Sequence, residues 1–168
     1  MYIDFKVILL RLDYDEYGCL LPGIYELSLK EFEEEFVKDK SQRRQDIFDN
    51  YKYHITKIKD TDCCLNHWID GSFVTLEEKP NDIDTLTEFD GVKSKELGIV
   101  DEIKHMIYDA PLITSNFCHS FCVFKVPEEY GEDYDEFLEF KSKVLFLLFS
   151  MNNKTKKLKG FIKLKGEN

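Results

Sequence analysis

The chain has 168 residues, 43% of them hydrophobic and 14% aromatic, which suits one domain with a sizeable core. Its formal net charge of -10, from 33 Asp+Glu against 23 Lys+Arg, disfavours free DNA or RNA as a partner, because a nucleic-acid backbone needs Lys and Arg to replace its counterions. No stretch approaches the roughly 20 apolar residues that span a bilayer; the N-terminal segment is too short and wrongly charged for a signal peptide, and an odd count of 5 cysteines fits free thiols, so the expectation is a cytoplasmic protein with no membrane contact.

In chain order, the first clear helix signal is Ser28, which can cap a helix whose Glu31 completes a capping box and whose Leu29, Phe32 and Phe36 share one face. A second helix is expected after Ser41, with Ile47, Tyr51, Ile55 and Ile58 at helical spacing. Arg43 and Arg44 fall in its first turn, where they oppose the helix dipole; they read as surface charge, with a role outside the helix as the alternative. Cys64–Asp70 suits a strand, Gly71-Ser72 breaks it, and Asp82-Ile-Asp-Thr-Leu-Thr-Glu-Phe alternates again with period two.

A third helix is expected over roughly Lys93 to Tyr108, with Leu97, Val100, Ile103 and Ile107 inward and Pro111 as its stop. The segment from Cys118 reads as a later strand. A fourth helix runs from about Tyr134 to Met151, and its apolar stretch Val144–Phe149 is either buried or covered by a second chain, which leaves a homodimer or partner interface open. After a turn at Asn152-Asn153-Lys154, Leu158 to Leu164 reads as a terminal strand. The lysines at 154, 156, 157, 159, 163 and 165 read as a solvated turn and strand, or alternatively as cover for phosphates or an acidic partner. Cys63, Cys64, His67, Cys118, His119 and Cys122 could be brought together as a metal cluster, but cysteines in apolar strand-like segments pack as small hydrophobes.

The motif that carries chemistry is Gly71-Ser72 followed ten residues later by Asp82-Ile-Asp84. Residues two apart on a strand share a face, so Asp82 and Asp84 point together while Ile83 points to a core. Two carboxylates on one face supply hard oxygen ligands for Mg²⁺ or Mn²⁺, and a glycine turn lets backbone N–H groups approach phosphates. The plain alternative is a hairpin with a polar loop and two solvated aspartates.

Three stretches, Leu21-Pro-Gly-Ile-Tyr-Glu-Leu-Ser28, Trp68 through Asp84, and Lys159-Gly-Phe-Ile162, resemble signatures of a group of small bacterial and phage proteins similar to the polymerase-beta-like minimal nucleotidyltransferases. The resemblance runs from about Leu20 to Leu164. It implies an α+β fold, a nucleotidyltransferase-like mixed sheet flanked by helices, with an NTP as donor substrate at Gly71, Ser72 and Thr75, and with metal ions on Asp82 and Asp84. Relatives carry a third carboxylate on a later strand; the aligned position here is His119, with Ser120 or Asp109 as alternative alignments. Histidine is a poor Mg²⁺ ligand but can act as a base, and otherwise reads as an ordinary residue at a sheet edge. Two functions follow from the resemblance: transfer of a nucleotide to a hydroxyl of a protein or small-molecule acceptor, with an antitoxin or phage-defence role in view, or a degenerate fold that binds a nucleotide or a protein without chemistry.

Overall fold

Backbone pattern and packing agree closely where the capping chemistry is strong. In the computed structural model, which describes residues 7–8, 12–109 and 117–166, strands β1 (Val7–Ile8) and β2 (Ile24–Leu27) precede helix α1 (Leu29–Phe36). The capping box forms: Ser28 Oγ accepts from Glu31 N–H at 3.1 Å, and Glu31 Oε2 accepts from Ser28 N–H at 2.7 Å. Phe32 and Phe36 are buried on its inner face. Helix α2 (Gln42–Asp60) buries Ile47, Tyr51, Ile55 and Ile58 along the stripe that the spacing predicts, and Phe48 beside them.

Strand β3 (Cys64–Asp70) and strand β4 (Ile83–Asp90) then form an antiparallel pair around the Gly71 turn. The single third helix of the sequence reading is interrupted. Helix α3 (Gly91–Glu96) ends where Gly98 takes φ +71° and Ile99 N–H bonds back to Ser94 O at 3.1 Å, a left-handed cap that stops the helix. Helix α4 (Val100–Lys104) restarts and continues as a π-helical turn over His105–Asp109. Ile103 and Ile107 are buried as expected, whereas Leu97, at the break, is exposed. Pro111 lies outside the described residues.

Strand β5 (Cys118–Lys125), helix α5 (Glu132–Lys143) with a π-helical extension over Val144–Phe149, and strand β6 (Phe161–Leu164) complete the chain. The fold is α+β, with a mixed six-stranded sheet in the order β1-β2-β6-β3-β4-β5, flanked by helices. β4 runs parallel to β5, while β3 is antiparallel to both its neighbours.

The sheet carries apolar side chains on both faces. One face sends Ile69, Ile83, Phe89, Cys122 and Ile162 into a core with α1, α2 and α4. The other sends Trp68, Leu86, Val123 and Phe161 against Phe137, Val144 and Phe149 of α5 and its extension. Of the stretch that reads as either buried or covered by a second chain, Val144 and Phe149 are buried, but Leu147 and Leu148 are exposed. Cys63, Cys64, Cys118 and Cys122 pack in or against the first core as free thiols. Among the described residues, no helix is long and apolar enough to cross a membrane.

Candidate functional site

Register brings a row of ionisable residues together at one end of the α5 face. Asp70 is opposite Asp84 across β3 and β4, and Asp84 is opposite His119 across β4 and β5. Opposed residues in adjacent strands share a face, so Asp70, Asp84 and His119 form one polar row. Asp82 lies one step further along, on the same side as Asp84. Lys159, just before β6, reaches the row from the other flank and contacts both carboxylate oxygens of Asp70. Ser120, one of the alternative alignments, is excluded from the row. It faces the opposite side, accepting from Thr85 Oγ1 at 2.9 Å and lying 3.1 Å from His54 Nε2. The side chain of Asp109, the other alternative, lies outside the described residues.

The turn between the two halves of the motif fits the carboxylate closely. Gly71 adopts φ +85°, and a Cβ built there would lie 2.2 Å from Asp84 Oδ2. The backbone angle favours glycine, and a side chain there would oblige the Asp84 carboxylate to shift. Ser72–Val74 form a short 3-10 turn, anchored by the buried Phe73 and Val74 and closed by Thr75, whose N–H and Oγ1 both donate to Ser72 O, at 3.2 and 2.7 Å. The Thr75 hydroxyl is thus engaged within the turn, though Thr75 lines the cleft beside Gly71 and Ser72.

The two arginines that read as surface charge hold this segment in place. Arg44, 3% exposed, donates to Phe36 O at 3.0 Å, Phe73 O at 2.7 Å, Thr75 O at 2.7 Å, and Glu77 O at 3.1 and 2.6 Å. Arg43 donates to Pro80 O and Asn81 O and lies 4.3 Å from the centre of the Phe117 ring. A guanidinium presents five donors in a rigid fork, so one side chain satisfies a whole loop of carbonyls that would otherwise be buried without partners. The first turn of α2 therefore fixes the stretch that joins Ser72 to Asp82.

The cleft that results has a volume of about 780 Å³ and is lined by Asp70, Gly71, Ser72, Asp82, Asp84 and Lys159 on its polar side. Burial and the charge of Asp82 raise the pKa of Asp84, while His119, with Nδ1 3.2 Å from Asp84 Oδ1, pulls it back. Burial likewise pushes Asp70 up to about 7 against the pull of Lys159 and of the Gly71 N–H. His119 itself is largely exposed on the edge strand and packs on Phe121, ring centres 4.9 Å apart.

Asp82 and Asp84 offer a hard divalent cation two carboxylates whose mutual repulsion such an ion relieves; a small ion of this kind is ordinarily held by one or two carboxylates with water and phosphate oxygens completing its shell. The donor set therefore fits Mg²⁺ or Mn²⁺. Among the described residues, no three His, Cys, Asp or Glu side chains are gathered to hold a metal ion, which sets aside the cysteine-histidine cluster as well. The opposing position on β5 carries the imidazole of His119, and Asp70 is tied to Lys159.

The sequence offered Lys159 and Arg44 a role only as the alternative to surface charge, and gave Asp70 none of its own. Asp70 stands directly before the Gly71 turn, but its pairing with Asp84 is set by the path of residues 71–82, which is not a local signal. No curated protein and no solved structure matches the chain. One family model matches residues 12–165, a span that includes every residue of this cleft, and the chain therefore belongs to the family of unknown function DUF6932.

Proposed function

We propose that the protein is a metal-dependent nucleotidyltransferase, moving a nucleotide from an NTP to a hydroxyl of a protein or small-molecule acceptor. The observation that carries this reading is the fit of the Asp84 carboxylate over the Gly71 turn, with Oδ2 2.2 Å from where a Cβ would stand, inside a cleft that Asp82 and Ser72 also line. A glycine turn that lets a carboxylate lie against the backbone, with a second carboxylate and the Ser72 hydroxyl on the same cleft wall, is a combination that suits triphosphate binding with a divalent cation. Asp82 and Asp84 would hold Mg²⁺ or Mn²⁺, which when bound would supply positive charge to the phosphates.

The remaining roles belong to the chain's own groups. Gly71 and Ser72 would hold the outer phosphates. With Nδ1–H donating to Asp84, the His119 imidazole carries its lone pair on Nε2, where it could take the proton of the acceptor hydroxyl. In the transfer, the hydroxyl oxygen bonds to the α-phosphorus, the α-phosphorus bond to pyrophosphate breaks, and the hydroxyl proton passes to His119.

One observation favours a second reading. Because the position opposite Asp84 on β5 carries His119 rather than a carboxylate, the protein side of the cation site has two acidic ligands, as in a fold that retains nucleotide binding without turnover. Incubation with each α-labelled NTP and Mg²⁺ or Mn²⁺, with cell lysate as acceptor, separates the two. Label transferred by wild type and lost in Asp82→Asn/Asp84→Asn is the expected result. Binding of NTP that depends on both aspartates, with no transfer, would instead establish the binding module, and equal NTP affinity in the double variant would sink both.

A further inference from the structure

Three of the chain's large exposed apolar side chains, Tyr17, Leu76 and Leu148, line the same cleft as the polar row. Exposed hydrophobes scattered singly need no explanation, but convergence on one concave surface does. Tyr17 is 56% exposed and Leu76 60%, yet the backbone beneath them is fixed. Asp15 Oδ1 accepts from the N–H groups of Tyr17 and Cys19, both at 2.9 Å, which closes a tight turn. Gly18, at φ +76°, brings that turn so close to Leu76 that an added Cβ would lie 3.1 Å from Leu76 Cβ, and Leu76 N–H donates to Gly18 O at 2.9 Å. The two side chains therefore project from a single rigid unit.

On the polar side of the same cleft, Lys159 is a buried cation whose backbone is tied down. Its N–H donates to Ser150 O at 2.8 Å, and the next residue, Gly160, packs so tightly that a Cβ would lie 2.3 Å from Leu21 O. Only the flexible side chain can move, from Asp70 toward whatever enters the cleft.

We infer that the cleft is built for a ligand with a flat apolar group at one end and a polyphosphate at the other, with Tyr17 and Leu76 as the wall for the base and Lys159 as the anchor for the phosphates. This rests on the nucleotide reading above and adds to it the residues that hold the two ends of the donor. A volume of about 780 Å³ lies within the range of small-molecule sites. An aromatic ring on a rigid turn gives a base a stacking surface at low entropic cost, and an ammonium on a four-carbon stem follows a phosphate as a point charge.

Calorimetric titration distinguishes the two ends. Wild type, Tyr17→Ala and Asp70→Asn/Lys159→Met are each titrated in Mg²⁺ with ATP, GTP, CTP, UTP and inorganic tripolyphosphate; the double variant removes both charges of the buried pair and keeps the net charge. For the tightest-binding nucleotide, Tyr17→Ala should weaken binding by about 10-fold or more, the effect of losing one base–aromatic stack, and Tyr17→Phe should restore it. Tripolyphosphate affinity should not change in Tyr17→Ala, while the double variant should weaken both ligands. Nucleotide affinity unaffected by Tyr17→Ala, or nucleotide and tripolyphosphate weakened equally, would overturn the wall; tripolyphosphate binding intact in the double variant would overturn the anchor. A wild type that takes up none of the ligands would overturn the nucleotide reading itself and the wall with it.

Discussion

Two buried carboxylates project from the same face of the β3–β4 hairpin, each met by a lysine from outside it, and their surroundings are opposite. Glu88 is paired with Lys141 of α5 and also accepts from Asn66 Nδ2 at 3.1 Å. The Lys141 ammonium lies 5.1 Å from the Trp68 ring centre and 5.4 Å from that of Phe137. Each charge at that end therefore has several favourable neighbours, and the pair docks α5 onto the sheet. Asp70, paired with Lys159, has another carboxylate, Asp84, opposite it in register, and both members of the pair line the cleft. The Glu88 pair is saturated and structural, whereas the Asp70 pair holds opposing demands that a ligand can resolve.

The largest effect that tests this contrast is at the closed end. Lys141→Met should destabilise the protein by about 3–5 kcal/mol, because it leaves Glu88 buried with only the Asn66 amide. Glu88→Gln added to it should recover most of that loss, because the amide keeps the Asn66 contact and removes the charge. Urea unfolding of the three proteins at pH 7 measures both steps. A Lys141→Met variant as stable as wild type would mean that the pair does not dock the helix.

A smaller effect is expected at the open end. Without Lys159, Asp70 can escape its unpaired charge by taking a proton, since burial already holds its pKa near 7. Lys159→Met should therefore cost roughly 1–3 kcal/mol near neutral pH, the scale of one unsatisfied polar group, and more at pH 8 than at pH 6. A cost that does not depend on pH, or one as large as at Glu88, would remove the distinction between the two ends.

The elements that carry the site were legible because their signals are local. Alternation over Cys64–Asp70 and over Asp82–Phe89 gave both strands and put Asp82 and Asp84 on the face opposite Ile83, and Ser28 with Glu31 announced α1. What could not be read was set by partners distant in sequence. Arg44 shows only its charge in the sequence; the carbonyls of Phe73, Thr75 and Glu77 that bury it depend on the tertiary path of the loop. Lys159 looked like one more member of a solvated basic run, because the ladder between β3 and β6 decides which lysine of that run meets Asp70. The break at Gly98 had a local signal, a glycine within a periodic stretch, which the apolar spacing of Ile103 and Ile107 outweighed.

The gentlest test of the comparison is the pH dependence of stability, and its sign follows from which groups shift. Asp70 has a folded pKa of about 7 against an ordinary carboxylate value of about 4. Between those values the folded chain holds a proton that the unfolded chain has released, so this group's contribution to stability is full at low pH and is lost as pH rises toward 7. Buried His54 and His67 act in the opposite sense. Burial lowers them to about 4 and about 3, so their contribution is present at neutral pH and lost as the pH falls through the acid range. The wild-type profile therefore mixes opposing slopes, and only a difference isolates the cleft. The stability of wild type minus that of Asp70→Asn/Lys159→Met should fall from pH 4 to pH 7, by at most about 1.4 kcal/mol per pH unit for one proton, because the histidines cancel. A flat difference would mean that Lys159 holds Asp70 ionised throughout, which would make the open pair as settled as Glu88 with Lys141.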